Sequence, residues 1–282
     1  PMGGLRLLVH TGDGVPVPAR IYLERDGVPL TPPYAFAYEQ GAPSFHFQDP
    51  ALNSFPVPPG RYRARAMRGF EYALAEGEVE VEEGATAEIA LTLRRIEGLG
   101  RAHWYSGDHH THLFRHGSSR YPMMNLQDVY TIAQAEGMQF LPFMGVDKAR
   151  VDQQDFRDTH FIGMTTNELT RDLWGHICPI GVWNWPEMEV SGNAWPMNFD
   201  YIDAAVAAGG AIAYAHPYSG VSSENSLVSV ADLEAVLIAR EFPISRALGQ
   251  PCTYDILTKE DGVADFDLKL RAYMRLLNLG FR

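Results

Sequence analysis

The sequence predicts a two-part molecule: a small all-β domain over residues 1–96, then an α/β domain over residues 97–282 built on a mostly parallel sheet or barrel. Three observations predict it. Short runs of period-two alternation, punctuated by turn residues, fill the first third of the chain. After a linker at residues 94–100, strand-like and helix-like runs alternate. The length, 282 residues, also suits two domains of about 150 residues each.

The all-β part opens with an apolar run from Leu5 to Val9. Ala19, Ile21 and Leu23 alternate with Arg20, Tyr22 and Glu24, and Tyr62, Ala64 and Ala66 alternate with Arg61, Arg63 and Arg65. Residues 79–81 and 89–93 repeat the pattern. Alternation with one polar face marks an antiparallel sheet wetted on one side. Turn signals separate the runs at Gly12-Asp13-Gly14, Asp26-Gly27, Pro58-Pro59-Gly60 and Glu83-Gly84. Short strands so punctuated build a small β-sandwich. Residues 57–65 resemble the modules related to the regulatory domain of carboxypeptidases. Only His46 and Asp49 draw attention here, in what reads as a loop rich in Pro, Ser and Phe, so the domain reads as a structural or docking module.

In the second part, Asn125 is a candidate N-cap, and Leu126, Val129, Tyr130 and Ala133 fall at helical spacing up to Gly137. Residues 138–146 form an apolar strand, and 161–164 and 177–182 are further strands. A helix at 199–208 carries Ile202 and Val206 and ends at Gly209-Gly210. Residues 211–215 read as a buried strand with His216-Pro217 at its C-terminal end. Helices at 231–241 and 267–278 close the chain, the last with Leu270, Tyr273, Met274 and Leu277 on one face. Such alternation puts ligands at the C-terminal ends of strands.

Composition narrows the partners. Hydrophobic residues make up 46% and charged residues 21%, ordinary for a soluble globular protein. Against 35 acidic residues stand 23 basic ones, a net charge of −12, which argues against nucleic acid or an anionic membrane as the main partner. No apolar run approaches the ~20 residues of a spanning helix. No leader is visible, so a cytoplasmic location is expected; Pro1-Met2-Gly3-Gly4 reads as a junction, which keeps a removed leader, and a periplasmic or secreted location, open. Cys178 and Cys252 make no disulfide framework, and Cys178 reads as a small core residue.

The chemistry gathers around Gly107-Asp108-His109-His110-Thr111-His112. It follows an apolar run at 102–105 that reads as the start of a strand. Alternation then puts Asp108, His110 and His112 on one face and His109 and Thr111 on the other. Two imidazoles two residues apart on a rigid strand can hold one cation. Further along, Glu168 follows a strand, His176 begins the next, and His216 ends an apolar one; His116 and Asp147 are additional candidates. Singly, each has a bland explanation: a solvated acid, a capped strand residue, a core histidine bonded to a carbonyl. Together, four histidines and one carboxylate at strand edges make a set in which the carboxylate bridges two cations and imidazoles fill the outer positions. Two such cations generate a bridging hydroxide at neutral pH and polarise an ester or phosphoryl oxygen. Asp108, on the face of His110 and His112, is expected to accept an imidazole N–H and fix that ring.

Gly107 to His112, Glu168 followed by His176, and Ala215-His216-Pro217 resemble the PHP (polymerase and histidinol phosphatase) superfamily of metallohydrolases. Residues 167–176, with a β-domain in front, are similar more narrowly to its carbaryl-hydrolase branch. The resemblance spans roughly residues 100–282. It implies a distorted (β/α)7 barrel holding two or three divalent metal ions (Zn, Mn or Fe). His110, His112 and Glu168 would hold the first, and Glu168 would bridge to a second held by His176 and His216. Asp108, Glu168 and His216 form the expected catalytic set. The sequence departs from the family pattern at three places. His109 stands where an apolar residue is usual. The Thr-Asp-His motif after the second strand is reduced to Asp147, with His116 as a substitute ligand for a third metal. The closing Asp-x-His motif is absent, since the sequence ends at residues 276–282, where its strand would begin. A barrel without that strand presents an open edge, which can pair with a second copy.

The leading functional expectation is a metal-dependent hydrolase of ester-type bonds (phosphoester, carboxyl ester or carbamate) in a small-molecule substrate, with a metal-bound hydroxide as nucleophile. Trp174, Trp183, Trp185, Trp195 and Tyr218 lie between the ligands, either as an apolar pocket for an aryl group or as packing residues. The competing expectation is a non-catalytic binding or structural protein whose degenerate barrel keeps metal for stability. P-loop and Rossmann glycine patterns are missing, as is Gly-x-Ser-x-Gly, so nucleotide chemistry and a serine hydrolase have no support.

Overall fold

The computed structural model describes residues 2–38, 42–47, 53–98, 105–112, 126–144, 161–166, 168–169, 174–182, 196–217, 241–255 and 263–280. The chain divides into two compact units. One comprises Pro1–Asp108, Gly117–Leu141 and Gln154–Gly163; the other comprises His109–His116, Pro142–Gln153 and Met164–Arg282.

The first unit is built on nine strands: β1 (Gly3–Thr11), β2 (Arg20–Arg25), β3 (Val28–Pro29), β4 (Ala35–Tyr38), β5 (Ser44–Phe47), β6 (Ser54–Val57), β7 (Gly60–Met67), β8 (Ala75–Val81) and β9 (Thr86–Leu93). They form two sheets, β6-β1-β9 and β4-β5-β2-β7-β8, with β3 paired on β2. Alternation decides which side chains go inside. On β7, Tyr62, Ala64 and Ala66 are fully buried, while Arg61 and Arg63 reach across to Glu78 and Glu76 on β8. Those exposed pairs add little to stability. The apolar faces of both sheets meet in one core that includes Leu5, Leu7, Ile21, Leu23, Phe45, Tyr62, Leu91 and Leu93. The β2–β3 hairpin turns through Asp26 and Gly27 at φ 51° and 81°, the paired positive values of a type I′ turn, which Asp-Gly favours.

Helix α1 (Leu126–Ala135) belongs to this unit and buries Val129 and Ala133. It ends at Gly137, φ 67°, with Met138 N bonded to Ala133 O at 2.8 Å and Gly137 N to Gln134 O at 3.0 Å, the paired bonds of a left-handed glycine cap. Arg20 Nε donates to Glu136 Oε1 at 2.7 Å. His46 on β5 is fully buried, 3.1 Å from the Tyr38 hydroxyl and stacked on Phe36, so it is a core residue; Asp49 lies outside the described residues.

The remaining strands are β10 (Thr111–His112), β11 (Phe140–Met144), β12 (Ile162–Thr165), β13 (Ile177–Ile180), β14 (Ala211–Tyr214) and β15 (Cys252–Tyr254). They make two three-stranded sheets, β10-β11-β12 and β13-β14-β15. In the second unit, β14 is the middle strand and is buried on both faces, which explains its unbroken apolar sequence. Ile212 and Tyr214 face a core shared with Tyr201, Ile202 and Ala205 of α2 (Asn198–Ala207) and Phe242 of α3 (Phe242–Ala247). Ala213 and Ala215 face the other way, with Cys178. Helix α4 (Val263–Asn278) adds Leu276 to the first of these cores. No helix among the described residues is long and apolar enough to cross a membrane.

The (β/α)7 barrel implied by the motif resemblance is not what the described residues form. That architecture needs adjacent strands to run parallel, each joined to the next by a crossover helix. Here β13 and β14 are antiparallel, and the strands after residue 108 fall in two separate three-stranded sheets. Among the described residues fifteen strands accompany four helices. Periodicity marks where a strand lies and which face it buries, but carries no information about its direction.

Candidate metal centre

One end of the β13-β14-β15 sheet assembles most of the centre. Ile177 at the start of β13 pairs with Tyr214 at the end of β14, because the two strands are antiparallel. His176 and His216 therefore emerge at the same end, and Ala215 N bonds to His176 O at 3.0 Å between them. β15 runs parallel to β14 with Tyr254 opposite Tyr214, so Asp255 emerges there too. Glu168 is brought in by a short antiparallel bridge: Leu169 N bonds to Ile177 O at 2.8 Å, and Ile177 N to Leu169 O at 3.1 Å. His110 and His112 arrive on the segment ending in β10, where His112 pairs with Met144 of β11. All of these residues lie in the second unit.

Glu168 is the hub. Its Oε1 lies 2.8 Å from His176 Nδ1, 3.2 Å from His216 Nε2 and 3.7 Å from His110 Nε2, while its Oε2 lies 3.2 Å from His112 Nε2. Burial works against its charge, but the four imidazoles prevail and hold the carboxyl well below the usual carboxylate range. Burial would likewise lower the pKa of His110; hydrogen bonds to Asp255 and Glu168 outweigh it and raise the pKa to about 9. His216 occupies the left-handed region at φ 33°, rare for a residue with a Cβ and a cost of roughly 1–3 kcal/mol. Such strain persists only where surrounding contacts hold it.

The five expected ligands His110, His112, Glu168, His176 and His216 thus converge. They fall into two overlapping sets, His110, His112, Glu168 and Glu168, His176, His216, with ligating atoms within 4.8 Å of one another in each. Asp108 is exposed, and the carboxylate that meets His110 Nδ1 is Asp255, at 2.7 Å. Strict alternation from Asp108 to His112 fails because only Thr111 and His112 are strand, with a bend at His109. His109 Nε2 consequently comes close to Asp255 Oδ1, without the alignment of a hydrogen bond. Asp255 is the residue of this cluster that the sequence pattern did not reveal. Its only signal is its place after Cys252-Thr253-Tyr254, a strand too short to stand out by periodicity. His116, Asp147, Trp183, Trp185, Trp195 and Tyr218 lie outside the described residues.

The donor chemistry suits divalent cations. Four imidazoles and a carboxylate are the ligand types of zinc, manganese and iron(II) centres. His110 Nε2 and His112 Nε2 lie 3.2 Å apart, an approach that a shared cation would satisfy with both lone pairs. Carboxylate Glu168 is common to both sets, with two oxygens to offer.

No family model matches the sequence, and no curated protein does. Among solved structures, the chain is similar to the Bacillus anthracis TIE protein, at 14% identity and TM-score 0.26, over 34% of this chain and 17% of that one. A streptococcal ancillary pilin matches at 11% identity and TM-score 0.24, over 33% of this chain and 32% of its own. The minor pilin GBS52 of Streptococcus agalactiae matches at 17% identity and TM-score 0.26, over 35% and 47%. The chain spans less than half the length of each of these proteins.

Proposed function

We propose that this protein is a metal-dependent hydrolase of ester-type bonds in a small-molecule substrate: a phosphoester, a carboxyl ester or a carbamate. The observation that carries the reading is the meeting of four histidines on one carboxylate, Glu168, in two sets that share it. His110 and His112 would hold one cation and His176 and His216 the other, with Glu168 common to both. When bound, such cations polarise a substrate oxygen and acidify water. Their ligands come from four separate short segments, each tied to its neighbours by backbone hydrogen bonds, which fixes the donors before any substrate arrives. Low exposure of Glu168, 7%, keeps water from competing for its oxygens. The motif-level resemblance to the PHP superfamily supports the same chemistry.

The test is a turnover screen of the zinc-, manganese- and iron-loaded protein on p-nitrophenyl phosphate, an aryl acetate and an aryl carbamate. Metal-dependent turnover of at least one, abolished in Glu168→Ala, is expected. Full metal occupancy with no turnover of any ester would instead favour the non-catalytic reading, in which the cations only stabilise the fold.

A further inference from the structure

We infer that Asp255 is a positioning residue of this centre: one buried carboxylate that fixes which ring nitrogen His110 offers to a cation and ties His110 to His216. The inference rests on the two-cation reading above and adds a residue to it. Asp255 is 7% exposed and directly follows β15. Its Oδ2 accepts two hydrogen bonds, from His110 Nδ1 at 2.7 Å and from the backbone N of His216 at 3.0 Å. Its Oδ1 meets His109 Nε2. Asp255 N is itself held by Tyr214 O at 3.1 Å, so the carboxylate stands on the end of the sheet rather than on a free loop.

The geometry assigns roles to both nitrogens of His110. Nδ1 is taken by Asp255, which as a carboxylate can only accept, so Nδ1 carries the hydrogen. Nε2 is left to face His112 Nε2 at 3.2 Å and Glu168 Oε1 at 3.7 Å, and is the nitrogen that would bind a cation. A carboxylate behind a ligating imidazole orients the ring and increases its basicity. The bond to His216 N adds a second effect: it pins the left-handed turn from which the His216 ring reaches Glu168. One side chain therefore sets ligands of both cation positions.

The test uses the full chain labelled with 15N-histidine and loaded with Zn(II). Long-range 1H–15N spectra, with His110 identified by its loss in His110→Ala, report which ring nitrogen carries hydrogen. The expected result is hydrogen on Nδ1 and metal on Nε2. In Asp255→Asn, zinc affinity measured against a competing chelator should fall about 10–100-fold while stoichiometry at saturation is kept. Three results would overturn the inference alone: hydrogen on Nε2 of zinc-loaded His110, unchanged zinc affinity in Asp255→Asn, or loss of a whole zinc equivalent, which would make Asp255 a ligand. If Asp255→Asn does not fold, the wild-type spectrum still decides. A wild-type protein that binds no zinc removes the two-cation reading, and this inference with it.

Discussion

At the scale of single residues, the centre is a contest between burial and pairing. Glu168, Asp255 and His110 are all substantially buried, which disfavours charge, yet each keeps its charged form because its partners are within hydrogen-bond reach. The signs have consequences. Glu168 and Asp255 have folded-state values below their ordinary ones, so their contribution to stability is present above the ordinary carboxylate range and is lost as pH falls through the depressed values. His110 is raised from 6.5 to about 9, so in the metal-free protein its contribution is full below 6.5 and is lost as pH rises through 9. Cation binding at Nε2 must displace a proton there. Zinc affinity should therefore rise about 50-fold between pH 7 and pH 9, nearly tenfold over the first unit and about fivefold over the second. Chelator competition at pH 7, 8 and 9 measures it, and an affinity flat with pH would mean that His110 is not a ligand.

At the scale of elements, α2 packs against the sheet whose end carries the centre. The helix presents Tyr201, Ile202 and Ala205 to β14, and its first turn is fastened by a residue distant in sequence. Glu241, 1% exposed, accepts hydrogen bonds from Asn198 N at 2.8 Å and Phe199 N at 2.7 Å, which satisfies two donors that a helix start leaves open and puts negative charge at the positive end of the dipole. Asp200 adds a local bond to Met197 N at 2.9 Å. Glu241→Ala would leave a buried amide at Asn198 and a half-buried one at Phe199 without their acceptor. It should cost about 1–3 kcal/mol per abandoned donor, read as a lower urea midpoint with the slope unchanged. A midpoint within error of the wild type would show that the helix start is held by other contacts.

At the scale of the molecule, what could be read from the sequence divides along physical lines. Where one face is wet, alternation is local and legible: Ile21, Leu23, Tyr62 and Ala64 are buried as their spacing requires. The apolar run at Ala211 to Ala215 was legible as a strand buried on both faces, and the helix before it by helical spacing. Strand direction was not, because it is set by tertiary pairing; the antiparallel partnership of β13 and β14 leaves no mark in either strand, and with it went the expected barrel. β15 was invisible at three residues, which hid Asp255. The clustering of His110, His112, His176 and His216 around Glu168 was legible because residue type, rather than backbone regularity, carries that signal: histidine and glutamate at strand edges are chemically conspicuous whatever the direction of the strands. The central claim is that Glu168 is shared by two cations, and metal stoichiometry tests it most directly. Elemental analysis of the zinc-loaded, gel-filtered chain should give about two equivalents per chain in the wild type, and close to none in Glu168→Ala, since losing the common ligand weakens both positions. A wild type that retains one equivalent or less, or a Glu168→Ala variant that retains two, would contradict the account.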